Sequence, residues 1–473
     1  GEPLAEIAYV GPDGNIHTID RDGRNHRRVT ARPAASERAS LRYGGPAWSP
    51  DGSSLAFISF AHGGDGVTSA LHAVGTDGET RRTLVAQTTV SPLYLGWSPQ
   101  ARMLAFVGAR PGSSELELRS VDVAGEQPGG RSERESESAR TLVTGRPLHW
   151  TFCAGGTKIL AHVDGTRRYG GRVAVFEPGD GSSDGSSDGS GREPPSRPRV
   201  IEGDPTPFRA PACSPDGSEA LVATRSGETG TSGSSAASGS LGSPEPSSLQ
   251  GGRILAVDLE SGVTRHLATF EGRTAFSYSP DGRHIAYTDG VTTRFGGIRG
   301  QLYITPAASP ATDDLPDADE EPTPIEDAPS VLAFFWSPDG SRLAFLQPAF
   351  GGENPSELVV TLTVLDLADG SAQSIAPLNL SPIFANEVVY RFDQFARSSS
   401  IWAPDGSAIA LGLIDATGAP GVYVIPTPGE RSAPRRVASG DLPVWNPGAV
   451  RADGDRIALT ETCSFGTRVC MFR

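Results

Sequence analysis

The chain has 473 residues and a formal charge of −15, because Asp and Glu outnumber Lys and Arg. An acidic balance of this size excludes a protein that holds nucleic acid by general electrostatic attraction. No apolar run approaches the roughly 18 residues that a membrane helix needs, so we expect no transmembrane segment.

A short turn phrase recurs along the chain, first as Trp48-Ser49-Pro50-Asp51-Gly52. Pro presets the backbone of a tight turn, Asp bonds back to nearby N–H groups, and Gly takes the left-handed conformation that closes the loop. Each copy runs into an apolar, strand-forming stretch, so each predicts a β-hairpin. Further copies begin at Trp97, Cys213, Tyr278, Trp336 and Trp402, and eroded copies lie at Cys153–Gly156 and Arg451–Gly454.

Two more strands follow most copies of the phrase. The third strand ends at an acidic turn, as in Ile16–Asp20 and Ile254–Asp258, and a short fourth strand comes after it. Four antiparallel strands, repeated at a spacing of tens of residues, predict an all-β propeller. Eight first hairpins favour eight four-stranded blades, and seven blades remain the alternative. The repeat resembles the TolB-like propeller repeat of bacterial envelope proteins, which also builds the propellers of prolyl-oligopeptidase-type enzymes.

The two ends of the chain are predicted to share one blade. Residues Ala5–Thr30 supply only later strands, and residues Gly448–Phe472 supply early ones. Such sharing closes the ring and removes open sheet edges. We therefore expect residues 1–473 to form a single propeller domain.

The loops fall on two faces. Connections between strands 1 and 2 and between strands 3 and 4 share the turn face, and the other connections share the loop-rich face. Low-complexity insertions are predicted near residues 126–139, 179–198, 226–252 and 307–323. The Asp/Gly/Ser insertion suits either a solvated linker or a Ca²⁺ site. We expect the solvated linker and no cofactor.

Four cysteines allow two disulfides. Cys463 and Cys470 flank the predicted last hairpin, and Cys153 and Cys213 occupy equivalent positions in consecutive blades. Buried free thiols are the alternative. An even cysteine count, together with the resemblance, favours an extracytoplasmic location: periplasmic, secreted or cell surface.

One set of side chains recurs at the start of strand 1, close to the channel on the loop-rich face. Convergent guanidinium groups suit a carboxylate-rich or phosphorylated ligand, unless each arginine pairs with an acidic loop residue of the protein itself. The set consists of Arg42, Tyr94, Arg146, Arg209, Arg273 and Arg397.

The sequence favours binding over catalysis. Gly-x-Ser-x-Gly patterns around Ser183 and Ser187 lie in a low-complexity insertion without a strand before or a helix after, unlike a hydrolase nucleophile. The resemblance implies a non-catalytic propeller that engages a protein partner of the cell envelope. The alternatives are a propeller that binds a small anionic or saccharide ligand and a structural subunit of a surface array.

Overall fold

The described part of the protein is almost entirely antiparallel β-sheet, which confirms the predicted propeller. The structure is a computed structural model. It describes residues 5–30, 40–63, 66–78, 80–86, 90–109, 112–113, 115–123, 139–146, 148–164, 171–178, 198–201, 210–225, 251–293, 297–307, 322, 324–349, 358–395, 400–427 and 433–448. The four predicted low-complexity insertions lie almost wholly outside these ranges, as do Arg209, Arg397, Cys463 and Cys470.

The first five blades contain strands that pair in chain order. Three strands belong to blade 1: Ile7–Val10 (β1), Ile16–Ile19 (β2) and Arg27–Arg28 (β3). Blade 2 consists of Ser40–Trp48 (β4), Ser54–Gly63 (β5), Gly66–Gly75 (β6) and Arg81–Val85 (β7). Blade 3 consists of Ser91–Trp97 (β8), Met103–Ala109 (β9), Leu116–Asp122 (β10) and Arg140–Gly145 (β11). Blade 4 consists of Leu148–Cys153 (β12), Lys158–Val163 (β13), Arg172–Phe176 (β14) and Arg199–Val200 (β15). Blade 5 consists of Ala212–Cys213 (β16), Glu219–Arg225 (β17), Gly252–Asp258 (β18) and Thr264–Phe270 (β19).

The next three blades are less regular. Blade 6 has three strands: Arg273–Tyr278 (β20), His284–Thr292 (β21) and Ile298–Pro306 (β22). Blade 7 consists of Ala333–Trp336 (β23), Arg342–Pro348 (β24), Leu358–Asp366 (β25) and Ala372–Leu380 (β26). Blade 8 consists of Ala408–Ile414 (β27), Pro420–Pro426 (β28) and Arg435–Ser439 (β29). At the position of its innermost strand, the described residues form a single antiparallel β-bridge between Trp402 and Ile409. Strands β26 and β27 pair only at Leu380 and Leu413, so the described strands of blades 7 and 8 are treated as two sets.

A non-strand segment covers the outer edge of blade 6. Residues 324–331 run beside β22, where the Ile325 N–H donates to the Leu302 carbonyl at 3.0 Å and the Leu302 N–H donates to the Ala328 carbonyl at 3.0 Å. The exposed backbone groups of an outermost strand are a template for pairing with other chains. Within the described ranges, this segment therefore occupies the position that a fourth strand has in other blades.

The ring closes through the strand Asp441–Trp445 (β30), which pairs antiparallel with β1. The predicted sharing of a blade is confirmed, but the closing strand precedes the segment Gly448–Phe472 to which the sequence assigns it. The reason is a turn phrase that the sequence analysis missed. The Asn446 N–H donates to the Glu6 carbonyl at 2.7 Å, just as the Ser49 N–H donates to the Ser54 carbonyl at 2.8 Å. The predicted copy at Arg451–Gly454 lies outside the described residues.

The hydrophobic core lies between blades rather than within them. Each of seven buried clusters combines side chains of neighbouring blades, and the largest spans blades 6, 7 and 8. One cluster joins blade 8 to blade 1 and another joins blade 1 to blade 2, so the packing is continuous around the ring. Burial of apolar area at every junction stabilises the closed arrangement.

The turn phrase builds the junctions on the turn face. The Ser49 hydroxyl donates to Asp51 at 2.6 Å and accepts from the Ser54 N–H at 2.9 Å, and Gly52 adopts φ +70°. A Cβ at Gly52 would lie 2.2 Å from Asn446 Oδ1 in blade 1. Glycine is therefore required both by the backbone and by the neighbouring turn.

A disulfide reinforces one of these junctions. Cys153 of blade 4 and Cys213 of blade 5 are bonded, with their Cα atoms 5.5 Å apart. Both residues end the innermost strand of their blade. The bond therefore ties two consecutive inner strands together at the turn face.

Candidate functional site

A helical insertion lies on the loop-rich face between β26 and blade 8. It contains Pro382–Glu387 (α1), a 3-10 turn at Val389–Arg391 and Phe392–Phe395 (α2). We call residues 382–395 the plug segment. Ser381 begins α1 because its hydroxyl accepts from the Phe384 N–H at 3.0 Å, and Pro382 at the first helical position has no N–H that needs a partner.

The plug segment lies across the mouth of the central channel. Helix α2 packs against β12, β20 and β23, which are innermost strands of blades 4, 6 and 7. Phe392 is buried there, with its ring centroid 4.8 Å from that of Phe334 and 6.1 Å from that of Phe335. One short helix therefore bridges several blades at the channel.

A buried carboxyl group links the plug segment to the strand that closes the ring. Asp441, in β30, is 5% exposed and accepts a hydrogen bond from the Ser381 hydroxyl. Burial raises the pKa of Asp441 above its ordinary value, and the hydrogen bond from Ser381 opposes that shift. The helix cap and the closing strand therefore depend on each other.

Four members of the predicted set lie in or next to the innermost strands of their blades. Arg42 lies in the first half of β4 and Tyr94 at the middle of β8, while Arg146 lies two residues before β12 and Arg273 begins β20. The ligand-binding role of the set remains a prediction.

The members of the set differ in their surroundings. Tyr94 contacts the plug segment, since its hydroxyl donates to the Gln394 carbonyl at 2.8 Å. Arg42 is exposed and Arg273 is half-buried. Neither has an ion-pair or hydrogen-bonding partner for its side chain within the described part of the chain.

Arg21 shows how a structural arginine is held in this protein. Its guanidinium contacts Glu6 at 3.0 Å and Asp405 at 3.0 Å, and it lies 5.2 Å from the centre of the Trp445 ring. These contacts join blades 1 and 8 on the turn face. Arg42 and Arg273 lack such partners in the ranges that are described, so this structural explanation does not extend to them.

Exposed apolar side chains concentrate on the loop-rich face. Of five large apolar side chains that are strongly exposed in the described ranges, only Val263 lies on the turn face. The other four are Val67 at 55%, Leu93 at 51%, Val291 at 44% and Ile383 at 53% exposure. Clustered apolar exposure is typical of interaction surfaces.

Three of these apolar side chains lie in the same region of the loop-rich face as Arg42 or Arg273. The strand that carries Val67 approaches the strand that carries Leu93, because the Ser69 hydroxyl donates to the Pro92 carbonyl at 3.2 Å. Arg42 lies on β4, which contacts β8 and is separated from β6 by β5 within blade 2. In blade 6, Val291 follows the residue that pairs with Arg273.

The sequence analysis missed the plug residues Arg391, Phe392 and Gln394. Arg391 is exposed and adds a cationic side chain to the loop-rich face. The signal that could have located the helix is Ser381-Pro382, a helix cap followed by proline at the first helical position.

A small cavity lies beneath the plug segment. Its volume is about 30 Å³, enough for about two water molecules. Aromatic rings form much of its wall: Trp150, Phe276, Phe334 and Phe392. Within the described ranges, no group of three or more His, Cys, Asp or Glu side chains could hold a metal ion. The predicted Ca²⁺ alternative concerns residues 179–191, which lie outside those ranges.

The chain is similar to several solved propellers. It resembles the tricorn protease structure over 91% of this chain and 38% of that one, with 12% identity and a TM-score of 0.49. It resembles the propeller domain of the Trilobed protease from Pyrococcus furiosus over 85% of this chain and 99% of that one, with 12% identity and a TM-score of 0.44. A putative TolB from Agrobacterium tumefaciens matches over 91% of this chain and 100% of that one, with 15% identity and a TM-score of 0.36.

The molecule is a β-propeller, as its turn geometry and its mostly four-stranded blades show. The chain spans well under half of the tricorn protease chain that it matches. No family model matches the sequence, and no curated protein matches it. In the portion of the chain that the structure describes, no helix has the length and apolar character of a membrane-spanning segment.

Proposed function

We propose that the protein is a non-catalytic binding propeller whose loop-rich face engages an acidic protein partner outside the cytoplasm. The observation that carries the proposal is the position of Arg42 and Arg273 on the same face as the exposed aliphatic side chains of Val67, Leu93 and Val291. Neither of these two arginines has an ion-pair partner in the described ranges. Such a surface fits a segment that presents both carboxylate and apolar groups.

The cavity under the plug segment is too small to enclose a typical small ligand. Pockets for small molecules commonly enclose about 300–1,000 Å³. The cavity under the plug segment holds about 30 Å³. A small anionic or saccharide ligand therefore remains the second candidate, and a structural subunit of a surface array is the third.

The proposed location outside the cytoplasm rests on the Cys153–Cys213 disulfide. Structural disulfides form and persist mainly in oxidising compartments. The partner is therefore proposed to be a protein of the cell envelope or its surroundings.

The experiment compares two double variants with the same change in charge. Arg42→Gln with Arg273→Gln alters the loop-rich face, and Arg24→Gln with Arg283→Gln alters the turn face. Each tagged protein is incubated with an envelope extract from its source, and the captured proteins are quantified by mass spectrometry at low and moderate salt.

We expect the loop-rich variant to lose about fivefold in capture at low salt, since two exposed charge contacts contribute about 1 kcal/mol together. Higher salt should reduce the difference, because exposed charges are screened. Equal capture by both variants, with the fold intact, would show that Arg42 and Arg273 do not contribute to binding of the partner. A fluorophosphonate probe that labels Ser183 or Ser187 would contradict the non-catalytic assignment.

A further inference from the structure

The side-chain amide of Gln394 pairs with the backbone of the channel wall. Its Nε2 donates to the Trp150 carbonyl at 2.7 Å, and its Oε1 accepts from the Trp150 N–H at 2.9 Å. The same Nε2 donates to the Tyr94 hydroxyl at 3.1 Å. The carboxamide thus satisfies both backbone groups of one residue, as a neighbouring strand would.

These contacts occupy the free edge of an innermost strand. Trp150 lies in β12, which pairs only with β13 among the described strands, so its other edge faces the channel. Free strand edges are common docking places for peptides, because their N–H and carbonyl groups supply affinity for any extended segment. Gln394 covers this edge at one residue.

An aromatic side chain provides the second contact of the same segment. Phe392, two residues before Gln394, is buried against Phe334 and Phe335. Between the two contacts lies the small cavity, and the buried Trp150 Nε1 has no hydrogen-bond partner in the described part of the molecule. The channel mouth therefore accepts an aromatic ring and a carboxamide that are two residues apart.

We propose that the channel mouth is a peptide-binding site for a partner segment with an aromatic residue two positions before Gln, and that Phe392 and Gln394 occupy it in cis. The inference rests on the proposed function and specifies the chemistry of the partner. The protein's own segment competes with the partner for the site. Release of the plug segment makes the site accessible.

The geometry explains why glutamine is preferred to glutamate. A carboxylate could accept from the Trp150 N–H, but it has no hydrogen to donate to the Trp150 carbonyl. It would instead place a negative charge against that carbonyl oxygen. A site that leaves buried polar groups unpaired discriminates strongly against the wrong ligand.

The test uses a synthetic peptide that copies residues 388–395, with blocked ends and a fluorescent label. Binding is measured by fluorescence anisotropy to the full chain and to the double variant Phe392→Ala with Gln394→Ala. We expect the double variant to bind the peptide at least about tenfold more tightly than the unaltered chain, because it lacks the competing hydrogen bonds. A matched control is Val263→Ala, an exposed apolar change on the turn face, which should bind like the unaltered chain.

A second peptide has Glu in place of the Gln and should bind the double variant at least about tenfold more weakly. Absence of binding by the folded double variant, or equal binding of both peptides, would overturn the proposal and leave Gln394 with a purely structural role. If the double variant does not fold, the single variant Gln394→Glu takes its place. Absence of peptide binding by this variant, or equal binding of the Gln and Glu peptides, would again overturn the proposal. Loss of this site would leave envelope capture through Arg42 and Arg273 unchanged, so the two proposals fail separately.

Discussion

Substitution of Gly217 by alanine should weaken the junction between blades 4 and 5. Gly217 adopts φ +76°, and a Cβ there would lie 2.3 Å from Ala154 Cα in the preceding blade. The left-handed conformation costs a residue with a side chain about 1–2 kcal/mol. Forced overpacking against backbone adds about 1–3 kcal/mol.

Gly418 provides the matched control. It adopts φ +83°, and a Cβ there would meet no heavy atom within 4 Å. Gly418→Ala should therefore cost only the conformational penalty of about 1–2 kcal/mol. Gly217→Ala should lower the free energy of unfolding by about 2–5 kcal/mol in total, which urea denaturation followed by tryptophan fluorescence can measure.

The difference between the two glycine variants isolates the contact between neighbouring turns. Both variants share the backbone penalty, so it cancels from the comparison. If Gly217→Ala and Gly418→Ala destabilise the protein equally, the turns do not pack on one another and the derivation of the ring junctions is wrong.

Three further predictions concern stability. Burial lowers the pKa of His72 to about 4, so between pH 6.5 and 4 the unfolded chain binds a proton that the folded chain does not. The free energy of unfolding should therefore fall by about 3 kcal/mol as the pH drops through this range. His72→Gln should flatten this pH dependence, which urea denaturation at each pH can measure. Reduction of the Cys153–Cys213 disulfide, or its replacement by two serines, should cost about 2–4 kcal/mol and lower the melting temperature measured by calorimetry. Ser381→Ala should cost about 1 kcal/mol for the lost helix cap and speed hydrogen exchange of the plug segment.

Each of these predictions has an outcome that contradicts it. His62→Gln, an exposed change in the same blade, should keep the pH dependence of the unaltered chain. If His72→Gln also keeps this pH dependence, a group other than His72 causes the loss of stability at low pH. Free-thiol labelling of Cys153 or Cys213 in the unreduced folded protein would show that the bond is absent. Unaltered exchange of residues 382–395 in Ser381→Ala would show that the cap does not hold the plug segment.

The repeat could be predicted because its chemistry is local. Ser49, Asp51 and Gly52 satisfy one another within a few residues, so each copy specifies its turn wherever it occurs. The missed copy at Trp445-Asn446-Pro447 has a different residue with the same function. Asn446 Oδ1 accepts from the Gly448 N–H at 2.8 Å, while the Ser49 hydroxyl accepts from the Ser54 N–H at 2.9 Å, so in both turns a side-chain oxygen at this position accepts from a backbone N–H. A search for the Ser-Pro-Asp-Gly motif does not detect that an asparagine side chain can replace the serine as the acceptor.

The plug segment could not be predicted from local patterns. Gln394 and Trp150 are 244 residues apart, and their contact exists only because the ring brings blade 4 opposite the insertion. Likewise, nothing in the sequence near Arg42 or Arg273 shows whether a carboxylate from another blade lies within reach. The sequence therefore shows which residues recur at one repeat position, while the partners of each side chain depend on the closed fold.

Hydrogen exchange with and without the captured partner tests the central claim most directly. The account predicts that the partner changes exchange on the loop-rich face, at residues 40–43, 91–94 and 382–395. It predicts no change on the turn face, at residues 20–24 and 281–283. Protection confined to the turn-face residues would contradict the claim that the loop-rich face binds the partner.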